Sequence, residues 1–409
     1  MKVVLCAVGS RGDLQPLAVL GHALQERGHD VTVCGPPEAR TLADERGVPY
    51  LSAGRDMMAW IQKFDVATIG MRALFQAFKD LVDKDLHATA PLLMEAAHGA
   101  DVVVSAGLQV LGRSVAEASG AASTYLYFAP SLLPSDEHPP MVVELQRLPK
   151  LANRAFHAVT LAFFNRTVLP ALNRERRALG LSPHRDMADA MDRDLTLAYD
   201  TALAPAPSDL AHSWRRYQVE PRAVHQVGAL VPRGGRIDDA LTAFVSERRC
   251  VYVGFGSMPD QTPADTMALV DAAARTADVH VVMLGKHTGS ERVRVVAEAA
   301  HDALFPLLRA VVHHGGSGTT ATASRAGVPQ VVVPHFVDQP FWAHRLMVRG
   351  VSAGSIRRRE LTADNLAAAI KRAVTDAGLS ERARALAAEL AAVDPVHIAA
   401  DHIEALGAR

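Results

Sequence analysis

A chain of 409 residues is long for one domain, and two are expected. Its 43 basic and 44 acidic residues leave a net charge of −1, which argues against a polyanion-binding surface, since nucleic-acid binders carry a basic excess. The chain is 49% hydrophobic and can build real cores, yet it has no run of about 18 apolar residues, so no membrane span is expected.

Lys2-Val3-Val4-Leu5-Cys6-Ala7-Val8 is the continuous apolar run of a strand buried on both faces. The run is broken by Arg11 and Asp13 and does not read as a signal peptide. Gly9-Ser10-Arg11-Gly12-Asp13 follows as a loop, with Pro16 where a first helical turn begins, then a helix over 17–27 ending at Gly28. A strand at 31–34 closes on Gly35-Pro36-Pro37. The rhythm continues with a strand at 101–105, a helix at 112–118 and a strand at 123–128. Between these, 57–64 and 69–86 are amphipathic stretches bearing Met and Phe, 130–140 is a Pro-rich loop, and 155–180 reads as one long helix. Such insertions at strand ends can shape a pocket for an apolar ligand, with Trp60, Phe75, Tyr127 and Phe128 as candidate contacts; the competing role for each is ordinary core packing.

Residues 216–235 carry Glu220-Pro221, Gly228, Pro232 and Gly234-Gly235 and read as an interdomain connection. The rhythm then restarts with a strand at 250–253 leading into Gly254-Phe255-Gly256-Ser257, a helix at 266–275 and strands at 279–285, 310–313 and 330–334. Helices from Gln339, Asn365 and Glu381 close the chain. This alternation predicts an α/β protein of two Rossmann-like, doubly wound parallel-sheet domains facing a cleft. The expected division is 1–215, a linker at 216–235, 236–385, and a last helix within 386–409 that returns to the first domain. Cys6, Cys34 and Cys250 are scattered without CxxC spacing, which fits a reducing cytoplasm and neither a disulfide framework nor a zinc site.

The chemistry concentrates in Val311-Val312-His313-His314-Gly315-Gly316-Ser317-Gly318-Thr319-Thr320. A strand, a tight turn and a helix start aim free N–H groups and a helix dipole at one point, which suits phosphate. Ser317 and Thr319 are placed to cap the helix or donate hydroxyl hydrogen bonds. Glycine spacing alone is equally compatible with a ligand-free turn, and the paired histidines tip the balance toward a ligand. His314 is the candidate phosphate donor and His313 the one packed at the strand end.

Ligands of open α/β sheets sit at the carboxyl ends of the strands. Gly256-Ser257 and the 314–320 turn make room there for a diphosphate, while Asp338 and Gln339 suit sugar hydroxyls. Helix capping is the competing role for Asp338. Asp13, after the first strand, either accepts a proton from a hydroxyl or caps the helix that follows. Asp192-Arg193-Asp194 reads as a solvated charge cluster in preference to a metal site. The 9–12 loop lacks a full GxGxxG, so dinucleotide binding is not expected.

Taken with these motifs, His301-Asp302-Ala303-Leu304-Phe305-Pro306, Pro334-His335-Phe336-Val337-Asp338-Gln339 and 173–181 make the chain resemble the GT-B-fold family 1 glycosyltransferases of the bacterial natural-product type. The resemblance runs nearly end to end. It implies a nucleotide-diphosphate sugar as co-substrate, inversion at the anomeric carbon, no cofactor and no metal. It implies that Ser257, His314, Gly316, Ser317, Gly318 and Thr319 hold the diphosphate, that Asp338 and Gln339 hold the sugar, and that Asp13 is the general base for a small-molecule acceptor. Where many relatives carry a Trp that stacks on the base, this chain has Gly285-Lys286-His287, so uridine and thymidine both stay open. A nucleotide-sugar epimerase on the same fold and a non-catalytic helper are the competing readings. The apolar insertions speak against the first, and an intact Asp13, His314, Asp338 and Gln339 against the second.

Overall fold

Lys2–Val8 is strand β1, buried at every position but its first. Six more parallel strands flank it: β2 (Asp30–Gly35), β3 (Tyr50–Ser52), β4 (Val102–Gly107), β5 (Ala122–Tyr127), β6 (Asp194–Leu197) and β7 (Ala223–Gln226), in the order β3-β2-β1-β4-β5-β6-β7. The second sheet holds β8 (Cys250–Gly254), β9 (His280–Leu284), β10 (Val293–Val296), β11 (Val311–His313), β12 (Gln330–Val332) and β13 (Ser352–Ser355), in the order β10-β9-β8-β11-β12-β13. The computed structural model describes residues 1–56, 59, 71–256, 263–285 and 288–409, with the backbone alone at 71–75, 77 and 263. Every strand pair within the two sheets is parallel, as the expected fold requires.

The strand order reverses between β1 and β4 in the first sheet and between β8 and β11 in the second. These are the switch points where loops diverge and leave a crevice. Leu5, Leu14, Leu17 and Leu24 hold the Arg11–Glu26 helix on β1 and are all essentially solvent-free. Each contributes about 1.5–3 kcal/mol by burial.

Two seams join the halves. The Pro395–Gly407 helix buries Ala399, Ala400, Ile403 and Leu406 in the core of the first sheet, and Arg27 meets Asp401 and Glu404 at 2.6 and 3.1 Å. A shared apolar cluster joins Tyr127, Leu133, Tyr199 and Trp214 to Phe341, Trp342, Leu346 and Leu386. Arg325 pairs with the buried Asp200 at 2.5 Å beside it.

Several elements differ from their sequence reading. The first helix starts at Arg11, not near Pro16, because Ser10 and Asp13 form a capping box that closes its end earlier. The stretch 155–180 is two helices, Lys150–Thr167 and Leu169–Ala178, with Pro170 in the first turn of the second. β7 lies inside the segment expected as linker, paired to β6 over four residues. Asp192 and Asp194 are not solvated: both are buried, Asp192 accepts from the Ser123 hydroxyl, and Asp194 opens β6 between Arg222 and Arg409. β10 occupies the stretch between Gly285 and His301, where no strand was expected, and pairs with β9.

Candidate functional site

β11 delivers the paired histidines to the crevice of the second sheet. His313 is fully buried; its Nδ1 accepts the Gly315 N–H at 3.1 Å, so Nε2 carries the proton and donates to Gln330 Oε1 at 2.9 Å. Burial, with the neighbouring His314, pushes its pKa down to about 3. It is the packed member of the pair. Gly315 turns the chain at a φ of +91°, and a side chain there would strike Val332 at 2.8 Å.

His314 is half-buried between two glycines. A Cβ at Gly256 would lie 2.7 Å from its ring, and one at Gly316 2.5 Å from Nε2. Its Nδ1 is buried with no partner among the described residues. Burial first, then His335 and His301, push its pKa down to about 4, against a backbone contact with Gly254. The site therefore holds a neutral ring against the Gly254 backbone.

The Ser317–Arg325 helix begins at Gly316, and no side chain caps it among the described residues. The capping expected of Ser317 and Thr319 is not made. The Ser317 hydroxyl donates instead across the cleft to the Phe128 carbonyl at 2.8 Å. Gly318 is exposed with open space around it. The first N–H groups of this helix thus keep their electrostatic field for a ligand.

β12 leads to the third segment. Val337 has a φ of +60°, a strained conformation for a β-branched residue that costs about 1–3 kcal/mol. The strain sits directly before Asp338. That carboxylate makes no cap bond to its helix, Gln339–Val348; its Oδ2 accepts the Trp342 indole N–H at 2.9 Å. Gln339 Oε1 accepts the N–H groups of His335 and Phe336 at 2.7 and 3.2 Å, which fixes the loop and aligns its amide. Burial raises the Asp338 pKa to about 7, and the charge of Asp13 in the other half adds to the rise.

Asp13 sits at the crevice of the first sheet. Its Oδ2 accepts the Ser10 N–H at 2.8 Å and the Ser10 hydroxyl at 3.2 Å. A Cβ on Gly9 would lie 2.2 Å from Oδ2 and one on Gly107 3.1 Å from Oδ1. Burial raises the pKa to about 6, against the two bonds from Ser10. Both roles read from sequence are compatible here: one oxygen caps the helix and the other is uncommitted among the described residues. Tyr125 below donates its hydroxyl to the Gly107 carbonyl.

The chain folds so that Asp13, His314, Gly316, Ser317, Gly318, Thr319, Asp338 and Gln339 stand at facing sheet ends. Ser257 and Trp60 lie outside the described residues, as does the side chain of Phe75. Tyr127 and Phe128 are corrected: they are 4% and 9% exposed and belong to the cores, because β5 is an inner strand packed on both faces. Phe128 serves the cleft through its carbonyl. Gly107, Trp342 and strained Val337 were not singled out, although Trp342 stands one helical turn from Asp338. Among the described residues no group of three or more His, Cys, Asp or Glu could hold a metal ion. Cavities of about 440 and 430 Å³ open elsewhere, at Arg248, Arg249 and Arg309 and at Arg113, Arg222 and Arg409, and touch none of these residues.

Two family models match: the glycosyltransferase family 28 N-terminal domain over residues 3–133 and the erythromycin biosynthesis protein CIII-like C-terminal domain over 269–406. The chain is 30% identical to an uncharacterized glycosyltransferase of Mycobacterium leprae, covering 99% of this chain and 96% of that protein. It is 30% identical to the vancomycin aglycone glucosyltransferase of Amycolatopsis orientalis over 92% and 90% of the two chains. With the O-mycaminosyltylonolide 6-deoxyallosyltransferase of Streptomyces fradiae it shares 31% over 96% and 94%. Among solved structures, the glycosyltransferase VinC in complex with dTDP matches with a TM-score of 0.70 at 19% identity over all of both chains. The glycosyltransferase of kitacinnamycin matches with 0.71 at 22% identity over 99% and 98%. The chain therefore belongs to the GT-B-fold family 1 glycosyltransferases of the natural-product-tailoring type, and is a glycosyltransferase.

Proposed function

We propose that the enzyme transfers a sugar from a UDP- or dTDP-linked donor to a hydroxyl of an apolar small-molecule natural product, with inversion at the anomeric carbon and no metal. The observation that carries this reading is the uncapped helix start at Gly316, with His314 in its glycine cradle, opposite the half-buried carboxylate of Asp13. Relatives named for the vancomycin aglycone and for a tylonolide support a natural-product acceptor. Two structural neighbours in complex with thymidine diphosphate support a thymidine donor beside uridine.

The residues divide the work. Gly316, Ser317, Gly318, Thr319 and His314 take the diphosphate, with Ser257 from the neighbouring loop. Asp338 and the Gln339 amide take sugar hydroxyls. Asp13 accepts the proton of the acceptor hydroxyl as its oxygen attacks C1 from the face opposite the diphosphate. The C1–O bond to the diphosphate breaks, and its electron pair leaves with the phosphate oxygen. Preorganised N–H groups at the helix start meet that growing charge, so the charge needs no metal to balance it. A carboxylate with a pKa of about 6 is ionised at neutral pH yet basic enough to share a proton in the transition state.

Melting temperatures with UDP-, dTDP- and GDP-sugars test the donor half. A ligand that binds only the folded state raises the transition in proportion to its affinity. A rise with UDP- or dTDP-sugar is expected, and no rise with any of them would overturn the reading.

A further inference from the structure

Asp338 stands at the start of the Gln339–Val348 helix and makes no cap bond to it. An Asp in that place ordinarily accepts from the first N–H groups of its helix. Here Oδ2 accepts instead from the Trp342 indole N–H, 2.9 Å away and one helical turn on. A capping carboxylate is oriented by local backbone. One that answers to an indole is oriented by whatever holds the indole.

The first half of the molecule holds it. Trp342 is 1% exposed, and its ring meets Tyr199 edge-on at 6.0 Å and Phe341 at 5.3 Å. Tyr199 is equally buried and lies just beyond β6. Further along the Trp342 helix, Arg345 Nε donates to the Leu203 carbonyl at 2.9 Å. Arg325, from the helix of the 314–320 turn, pairs with Asp200. The short segment 199–203 of the first half therefore supports both helices that begin at the crevice of the second.

We propose that Trp342 is a positioning residue for the donor sugar, setting the Asp338 carboxylate in the crevice from the interdomain seam. This rests on the reading that Asp338 holds sugar hydroxyls. A carboxylate free to turn about two single bonds meets a hydroxyl in several orientations, whereas a fixed indole leaves it one. A displacement of about 1 Å at such a contact costs up to about 100-fold. The diphosphate groups depend on a different support, since His314 and the Gly316 turn follow β11 and make no bond to Trp342 among the described residues. Sugar and diphosphate binding should therefore separate when Trp342 is changed.

Titration calorimetry of the full-length chain compares free UDP and dTDP with UDP-glucose and dTDP-glucose. Trp342→Phe keeps a buried ring and loses the donor. It should weaken the nucleotide sugars about tenfold and the free nucleotides by less than about twofold. Equal weakening of both would mean that the ring only supports the fold, and overturns the proposal. Asp338→Ala is the reference variant. If it weakens the nucleotide sugars and Trp342→Phe does not, the positioning role alone is overturned. If Asp338→Ala leaves them unchanged, Asp338 does not hold the sugar and both readings fall. A second readout needs no ligand. Trp342→Phe should lower the melting temperature more at pH 8, where Asp338 is charged and has lost its donor, than at pH 5, and an Asp338→Asn background should erase that difference. An equal loss at both pH values in the otherwise unchanged chain overturns the proposal.

Discussion

The two halves meet the cleft with the same device, a parallel strand, a glycine turn and a helix, and finish it in opposite ways. In the first half, Ser10 and Asp13 close the helix end with a capping box. In the second, Gly316 leaves the end without a side-chain cap and Ser317 reaches across to Phe128 instead. A capped end has spent its N–H groups and offers a carboxylate; an uncapped end keeps its positive field and offers it to an anion. One strand–turn–helix unit, closed or left open, thus supports the proposed base site on one wall and the proposed phosphate site on the other.

The largest test breaks the closed side. Asp13→Asn keeps the shape and a cap acceptor but cannot take the proton, so turnover should fall about 10²- to 10⁴-fold while the donor still raises the melting temperature. Unchanged turnover would remove Asp13 from the mechanism.

A matched pair of glycine substitutions separates the walls. Gly316→Ala puts a methyl 2.5 Å from His314 Nε2 and should weaken donor binding about 10- to 100-fold, read as a raised donor KM. Gly9→Ala puts one 2.2 Å from Asp13 Oδ2 and should act on kcat instead. Equal effects of both on donor KM would contradict the division of labour.

The pH dependence follows from the same contrast. Asp13 and Asp338, raised to about 6 and about 7, feel one another, so their titration belongs to the pair. A base must be ionised, so kcat/KM should climb up to about tenfold per pH unit across that window and level above it. Replacing Asp13 with Asn should flatten this limb in the residual activity.

The smallest effect is on stability. The folded pKa of Asp338 is above its ordinary 3.8, so its contribution is fully present below about pH 3.8 and is lost as pH rises through about 7. Asp338→Asn should therefore raise the melting temperature by a few degrees at pH 8 and by about a third as much at pH 5. An equal gain at both values would show that Asp338 is not held uncharged by its surroundings.

Much of this was legible locally. β1, β8 and β11 are continuous apolar runs because parallel strands covered on both faces need no polar alternation. The His313–Thr319 turn declared itself because glycines, histidines and hydroxyl residues at a strand end are a local arrangement. Asp13 was placed by its distance from the end of β1 alone. The sequence thereby determined two wound domains, a candidate phosphate turn and a candidate base. Tertiary structure decided what those groups meet. Asp194 is a buried ion pair because Arg409 arrives from 215 residues away. Tyr127 and Phe128 became core because β6 and β7, short and partly polar, extend the sheet beyond them. Ser317 left its own helix for a carbonyl 189 residues earlier. Periodicity reports that a residue has a face, while burial and charge partners depend on which distant segment is laid against it.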